Sequence, residues 1–273
     1  MERAAGSPGP AAGAGDDILV EMEGGIAGIV FNRPATRNAV SAEMCTRLIE
    51  LCGEFAADRS IRVVVFRGAG GKAFASGADI SEVRDLKGEA AVREFLGRWQ
   101  RLLTAIDEIP IPTIAAIQGA CTGGGASIAL SCDLRVATPG SRFGFPIARH
   151  LGSGLTIENF VRLTSLIGLA KTKEILYTAR LVPAAEALAL GVYNEVSGDE
   201  ESLLPRVREL AAEIAANAPL THRATKQSLL RIRQQMTPPG DNYDLAVQAY
   251  LSRDFQEGVG AFLEKRKPRW RGE

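Results

Sequence analysis

Histidine is nearly missing from this chain: His150 and His222 are the only two in 273 residues. Cys45, Cys52, Cys121 and Cys132 form no CxxC pair. Neither a zinc site nor a disulfide framework follows, and four free, mostly buried thiols are expected. Net charge is missing too, with 32 basic against 32 acidic residues. Nothing in that balance calls for nucleic acid or an anionic membrane as partner. No run approaches the roughly 18–20 uncharged apolar residues that cross a bilayer, and no cationic start leads into an apolar segment. The expectation is a cytoplasmic protein without metal or redox cofactor.

What is present is ordinary globular material, 46% hydrophobic, enough for a sizeable core. Residues 1–15, rich in Ala, Gly and Pro, carry no periodic apolar pattern and are expected to be disordered. Two apolar runs, 18–22 and 26–31, flank Glu23-Gly24-Gly25 and predict a β-hairpin. From 42 to 58, Met44, Leu48, Leu51 and Phe55 recur at helical spacing behind the capping Ser41. Short β-branched or apolar runs at 63–66, 113–117 and 134–137 alternate with helical segments, the pattern of a parallel sheet covered on both faces. Beyond residue 137 the pattern turns helical, at 157–167, 170–177, 184–190, 203–216, 220–235 and 243–257. The expected architecture is α/β, a spiral core over 16–200 followed by a helical C-terminal region over 201–273.

Two glycine-centred segments carry the chemistry. Phe74-Ala75-Ser76-Gly77-Ala78-Asp79-Ile80 and Gly119-Ala120-Cys121-Thr122-Gly123-Gly124-Gly125 each follow one of the apolar runs, and Ala78 and Gly124 lie 46 positions apart. Glycine admits a ligand close to the backbone, and a helix start offers unpaired N–H groups to negative charge. The pair predicts one anion site, suited to a developing oxyanion.

These segments, together with Cys132-Asp133-Leu134-Arg135, Gly168 ahead of Glu186-Ala187-Leu188-Ala189-Leu190-Gly191-Val192, and the tail Phe262-Leu263-Glu264-Lys265-Arg266-Lys267, resemble the crotonase superfamily of enoyl-CoA hydratases and isomerases over residues 18–269. The resemblance implies a crotonase-like ββα spiral with a C-terminal trimerisation region, and a homotrimer or dimer of trimers. It implies an acyl-CoA substrate with coenzyme A as carrier, and assigns the N–H groups of Ala78 and Gly124 to an oxyanion hole for the thioester. It places Arg37, Asn38, Ala75, Gly77, Asp79, Ile80, Gly123 and Ile147 along the coenzyme A and thioester path, and Lys265 at the 3′-phosphate.

One departure is plain. Where typical hydratases of that family carry two glutamates, this chain has Ser127 and Ile147. A serine without an adjacent base and an isoleucine cannot activate water or deliver a proton. His150 and Glu158 are the nearby candidates for a replacement proton carrier, and Ser127 for orienting a water or thioester. Hydratase activity is therefore doubtful. A double-bond isomerase, which needs one proton carrier, and a catalytically silent acyl-CoA-binding or scaffold protein stand as alternatives.

Overall fold

The computed structural model describes residues 17–240 and 242–273; the segment 1–15 lies outside them. Strands β1 (Ile18–Glu23) and β2 (Ile26–Phe31) form the expected antiparallel hairpin. Helix α1 (Ala42–Ala57) starts at Ser41, whose hydroxyl accepts the Met44 N–H, and buries Met44, Leu48, Leu51 and Phe55.

The chain then repeats one unit three times. A strand of the main sheet is followed by a short strand of a second sheet, and then by helix. In the first turn β3 (Val63–Gly68) leads to β4 (Ala73–Ala75), α2 (Ile80–Arg84) and α3 (Gly88–Glu108). In the second, β5 (Thr113–Ile117) leads to β6 (Ala120–Thr122) and α4 (Gly124–Ser131). In the third, β7 (Leu134–Ala137) leads to β8 (Arg142–Gly144) and α5 (Ile147–His150). This is a ββα spiral.

The rest is mainly helical: α6 (Ile157–Thr178), strand β9 (Val182–Pro183), α7 (Ala184–Ala189), strand β10 (Glu195–Val196), α8 (Leu203–Ala216), α9 (Pro219–Gln234), α10 (Asp244–Tyr250) and α11 (Arg253–Leu263). The main sheet runs β1-β2-β3-β5-β7-β10, parallel from β2 onward, and the small sheet runs β4-β6-β8-β9. Both faces of the main sheet are covered. Phe31, Phe66 and Ile117 belong to the large core with α1, α3 and α4, while Val63, Val65, Ile114 and Val136 pack against Leu203, Val207 and Ala211 of α8.

Three elements differ from the sequence reading. The glycine loops do not leave the main sheet directly, because β4 and β6 intervene. The two helices expected at 157–167 and 170–177 are one element broken at Gly168, with φ 72° and ψ 166°. The helix expected over 243–257 is two. Ser252 interrupts it with an extended ψ of 157°, its hydroxyl accepting the Phe255 N–H at 3.0 Å and donating to the Ala249 carbonyl at 2.7 Å; serine satisfies helix ends better than helix interiors.

Candidate active site

The two glycine loops meet. Gly77 has φ 111°, and a Cβ built on it would lie 3.0 Å from the Gly124 nitrogen, so the backbones approach as closely as glycine alone permits. Thr122 ties them by donating its hydroxyl to the Ser76 carbonyl at 3.2 Å. Gly124 is the first residue of α4, where an N–H has no intrahelical partner. The other end of α4 is occupied: the buried Arg135 guanidinium donates to the Cys132 carbonyl at 2.6 Å and the Ala129 carbonyl at 3.2 Å. The helix thus has its carbonyl end answered by a cation and its N–H end open.

Ala78 is fixed from the opposite side. It forms a parallel bridge with Val40, in which Val40 N–H donates to the Gly77 carbonyl at 2.8 Å and Asp79 N–H to the Val40 carbonyl at 3.0 Å. Neither bond uses the N–H of Ala78. Among the described residues, the N–H groups of Ala78 and Gly124 have no acceptor.

Both residues line one cavity of about 80 Å³, whose walls come from α3 (Phe95, Leu96, Trp99, Gln100, Leu103), α4 (Ser127), the segment ahead of α6 (Gly154, Leu155, Thr156), α6 itself (Asn159) and the end of α10 (Tyr250). The wall is largely apolar. Among the described residues its acidic and basic content is nil apart from the Tyr250 phenol, which burial pushes up to about 12 against a hydrogen bond with Ser153. Ser127, 3% exposed, donates to the Gly123 carbonyl at 3.4 Å. Two carboxamides complete the polar set. Gln100 donates to Thr104 Oγ1 and Asn159 to Thr156 Oγ1, each at 3.1 Å, and the buried Gln100 Oε1 and Asn159 Oδ1 have no partner among the described residues.

The other sequence candidates lie elsewhere. Glu158 is outside the cavity wall, with Oε1 accepting from Asn242 Nδ2 at 3.3 Å. His150 is exposed at the end of α5; partial burial and the adjacent Arg149 charge lower its pKa. Ile147, at the start of α5, is not part of the wall either.

The residues assigned to the coenzyme A path divide. Asn38 is wholly buried, and its amide is consumed internally: Nδ2 donates to the carbonyls of Ala69 (3.0 Å) and Ala73 (2.8 Å), and Oδ1 accepts the Arg33 N–H (3.0 Å). Ala75 is also fully buried. Asp79 caps α2 and pairs with Arg33 at 2.9 Å. Burial would raise its pKa, but bonds from the Ser81 hydroxyl and N–H, and from Arg33, hold it below the usual carboxylate range. These three are positioned as supports of the loop. Arg37 is exposed in a left-handed conformation, and its carbonyl accepts the Ser76 N–H. Ile80 is half-buried at the start of α2. Lys265 is exposed just past α11, a helix that packs beside α2. Gly123 precedes α4 with φ 55°.

Sequence reading passed over Trp99, Gln100 and Asn159. Trp99 belongs to the buried stripe of α3 and reads as core, and two isolated amides in helices carry no motif. The one available signal was the appearance of uncharged amides on helix faces otherwise turned inward.

Comparison with known proteins identifies the family. The family model described as enoyl-CoA hydratase/isomerase matches residues 21–273. The chain is 39% identical to the bovine (Bos taurus) enoyl-CoA hydratase domain-containing protein 2, mitochondrial, over 91% of this chain and 85% of that protein. It is 32% identical to the short-chain-enoyl-CoA hydratase of Clostridium acetobutylicum, over 92% and 96% respectively. A solved structure of methylmalonyl-CoA decarboxylase in complex with 2-nitronate-propionyl-CoA superposes with a TM-score of 0.85 at 28% identity, covering 94% of this chain and 99% of that one.

Proposed function

Because the chain belongs to the enoyl-CoA hydratase/isomerase family and is an enzyme of that family acting on acyl-CoA, we propose that it binds a short acyl-CoA thioester with the carbonyl oxygen between the N–H groups of Ala78 and Gly124. The observation that carries this reading is the pair of unpartnered amides at one small, mostly apolar cavity. When the thioester becomes an enolate, charge moves onto that oxygen. Fixed N–H donors in a dry site stabilise such charge without having to reorganise, and one donor is commonly worth about 3–4 kcal/mol of barrier.

Coenzyme A then runs outward past Ile80 and Arg37, with Lys265 or the adjacent basic tail toward its phosphates. Asn38, Ala75 and Asp79 act from behind, holding the loop that carries Ala78. The assembly is proposed as a homotrimer or dimer of trimers: Leu220, Leu229 and Ile232 of α9 and Leu169 and Tyr177 of α6 are exposed apolar side chains, a surface suited to other copies.

With no carboxylate or imidazole on the cavity wall among the described residues, true hydration is doubtful, and the isomerase reading lacks its proton carrier there. A silent acyl-CoA-binding protein would use the same donor pair to hold the thioester carbonyl, and turnover separates it from the enzyme. Calorimetry with butyryl-CoA, its dephospho form and free coenzyme A tests the reading. The thioester is expected to bind more tightly than free coenzyme A, and the dephospho form more weakly than the parent ester. A chain that binds no coenzyme A ester overturns it.

A further inference from the structure

The two N–H groups of the proposed oxyanion site come from different turns of the spiral, and neither Ala78 nor Gly124 has a side chain able to fix how far apart they lie. Ala78 stands just ahead of α2, whose five residues fall far short of the roughly 12–15 that an unaided helix needs in water. Something else must hold it. Gly124 opens α4 against the indole of Trp99, which belongs to α3. One carboxylate reaches toward both. Resting on the proposed oxyanion site, we propose that Glu82 is a positioning residue that sets the separation of the two donors, acting through Ala42 on the Ala78 side and through Arg98 on the Gly124 side.

Each oxygen of Glu82 has its own partner. Oε1 accepts the N–H of Ala42 at 2.5 Å. Ala42 is the first residue of α1, two positions past Val40, which bridges Ala78. The bond therefore closes a ring of chain around the first donor, with Val40 to Ala42 along one edge and Ala78 to Glu82 along the other. A negative charge at the start of a helix as long as α1 is favoured by the helix dipole as well. Oε2 accepts from Arg98 Nη2 at 2.9 Å. The Arg98 guanidinium also lies over the Phe95 ring, 5.8 Å from its centre, and the next residue along α3 is Trp99, whose ring lies on Gly124. The Glu82–Arg98 pair is thus the link from α2 to the helix that carries that ring. The two side chains are 23% and 26% exposed, so salt screens the pair less than it would a surface pair. The Cys45 thiol beside it adds no charge, since burial pushes its pKa up to about 12.

Neither Glu82 nor Arg98 lines the cavity, so their effect reaches the thioester only through the chain they hold. Separation matters because two donors must both come within about 2.7–3.1 Å of one oxygen, and a hydrogen bond weakens steeply as its angle closes. With α2 untied from α3, one donor still meets the carbonyl oxygen and the other falls short. The ester stays bound while its carbonyl is polarised less.

The test records infrared spectra of the full chain with butyryl-CoA isotope-labelled at the thioester carbonyl, with affinity measured in parallel by calorimetry. In the natural chain the carbonyl stretch is expected at lower frequency than in the free ester. Glu82→Gln keeps one acceptor for Ala42 but puts an NH₂ group, which cannot accept, opposite Arg98. It is expected to lose at least half of that shift while the Kd for butyryl-CoA changes less than about threefold, since a neutral carbonyl gains far less from the second donor than a developing oxyanion does. Arg98→Met breaks the same contact from the other side and should lose as much, the double variant should lose no more, and Arg98→Lys should recover part. Arg101→Met, which breaks the exposed Arg101–Glu94 pair of α3, should leave the shift in place. If Glu82→Gln does not fold, the two Arg98 variants decide. A full shift in folded Glu82→Gln or Arg98→Met, or an equal loss in Arg101→Met, overturns the positioning role and leaves the oxyanion site standing. Bound ester with no shift in the natural chain, or no binding at all, overturns the oxyanion site itself and this inference with it.

Discussion

The indole of Trp99 lies directly on Gly124: a Cβ built on that glycine would sit 2.3 Å from Cη2 and 2.6 Å from Cζ3 of the ring. Trp99 is 9% exposed and held within the α3 stripe, so it cannot swing clear cheaply. Glycine is required here by the close approach of a ring, not by a left-handed backbone.

Gly124→Ala therefore costs stability as well as chemistry. Overpacking a filled site usually costs about 1–3 kcal/mol, and urea unfolding is expected to show a loss of that size. Combining Gly124→Ala with Trp99→Leu should recover much of it, the two changes being non-additive as expected of residues in contact. Additive losses would show that the ring yields freely.

Hydration of crotonyl-CoA is expected to be slow. Each positioned acid or base usually supplies about 10²–10⁴ in rate, and the positions that the family resemblance assigns to the hydratase glutamates hold Ser127 and Ile147. A direct absorbance assay should find a rate at least about 10²-fold below that of a two-glutamate hydratase. Comparable rates would mean that a group beyond the cavity wall reaches the substrate.

Asn38→Ala removes an amide that serves three backbone groups. Leaving a buried polar group unsatisfied costs about 1–3 kcal/mol, so a total loss of roughly 2–5 kcal/mol is expected in chemical denaturation. Asn38→Asp should lose nearly as much, since a carboxylate cannot donate to the Ala69 and Ala73 carbonyls. An Asp variant as stable as the natural chain would contradict this account.

Acid is expected to loosen the C-terminal tail. The Arg266 guanidinium and then the Arg269 N–H, bonded to Glu257, hold that carboxyl at about 2 instead of 4.5. A depressed folded-state pKa stabilises above the unfolded value, so the contribution is full above about pH 4.5 and is lost between there and pH 2. Trp270, whose ring lies beside Gly152, reports on the tail. In a Trp99→Phe background its emission should change with a midpoint below 4.5, and in Glu257→Gln it should already be altered at pH 7. A midpoint at or above 4.5 would detach Glu257 from the effect.

Much of this fold is legible in the sequence because long, regular elements announce themselves. The Met44-Leu48-Leu51-Phe55 stripe behind Ser41 marks α1, and the β-branched runs mark β3 and β5. The small sheet is not legible. Strands β4, β6 and β8 are three residues each and β9 two, too short for a period of two to register. The glycine loops stand out because they require a residue type. Trp99 and Asn159 do not: a tryptophan beside a cavity and one in a core have the same spacing, and only the packing of α3 across α4 and the start of α6 separates the cases. Asn38 is the reverse instance, a polar residue beside a candidate site whose amide the backbone of β4 had already claimed.

The bridge between Val40 and Ala78 has a consequence for how the site spends free energy during a reaction. Water answers new charge by turning its dipoles, and much of the barrier in solution is the work of turning them. The Ala78 amide is already turned: its neighbours on both sides are bonded to Val40, and the Asn38 clamp and the Arg33–Asp79 pair hold the same stretch of chain. A donor that cannot relax in the ground state does not have to be reoriented when charge arrives. Slackening that brace from a distance, as Arg33→Met would, restores the work of orientation and shows itself as a slower chemical step while the thioester still binds.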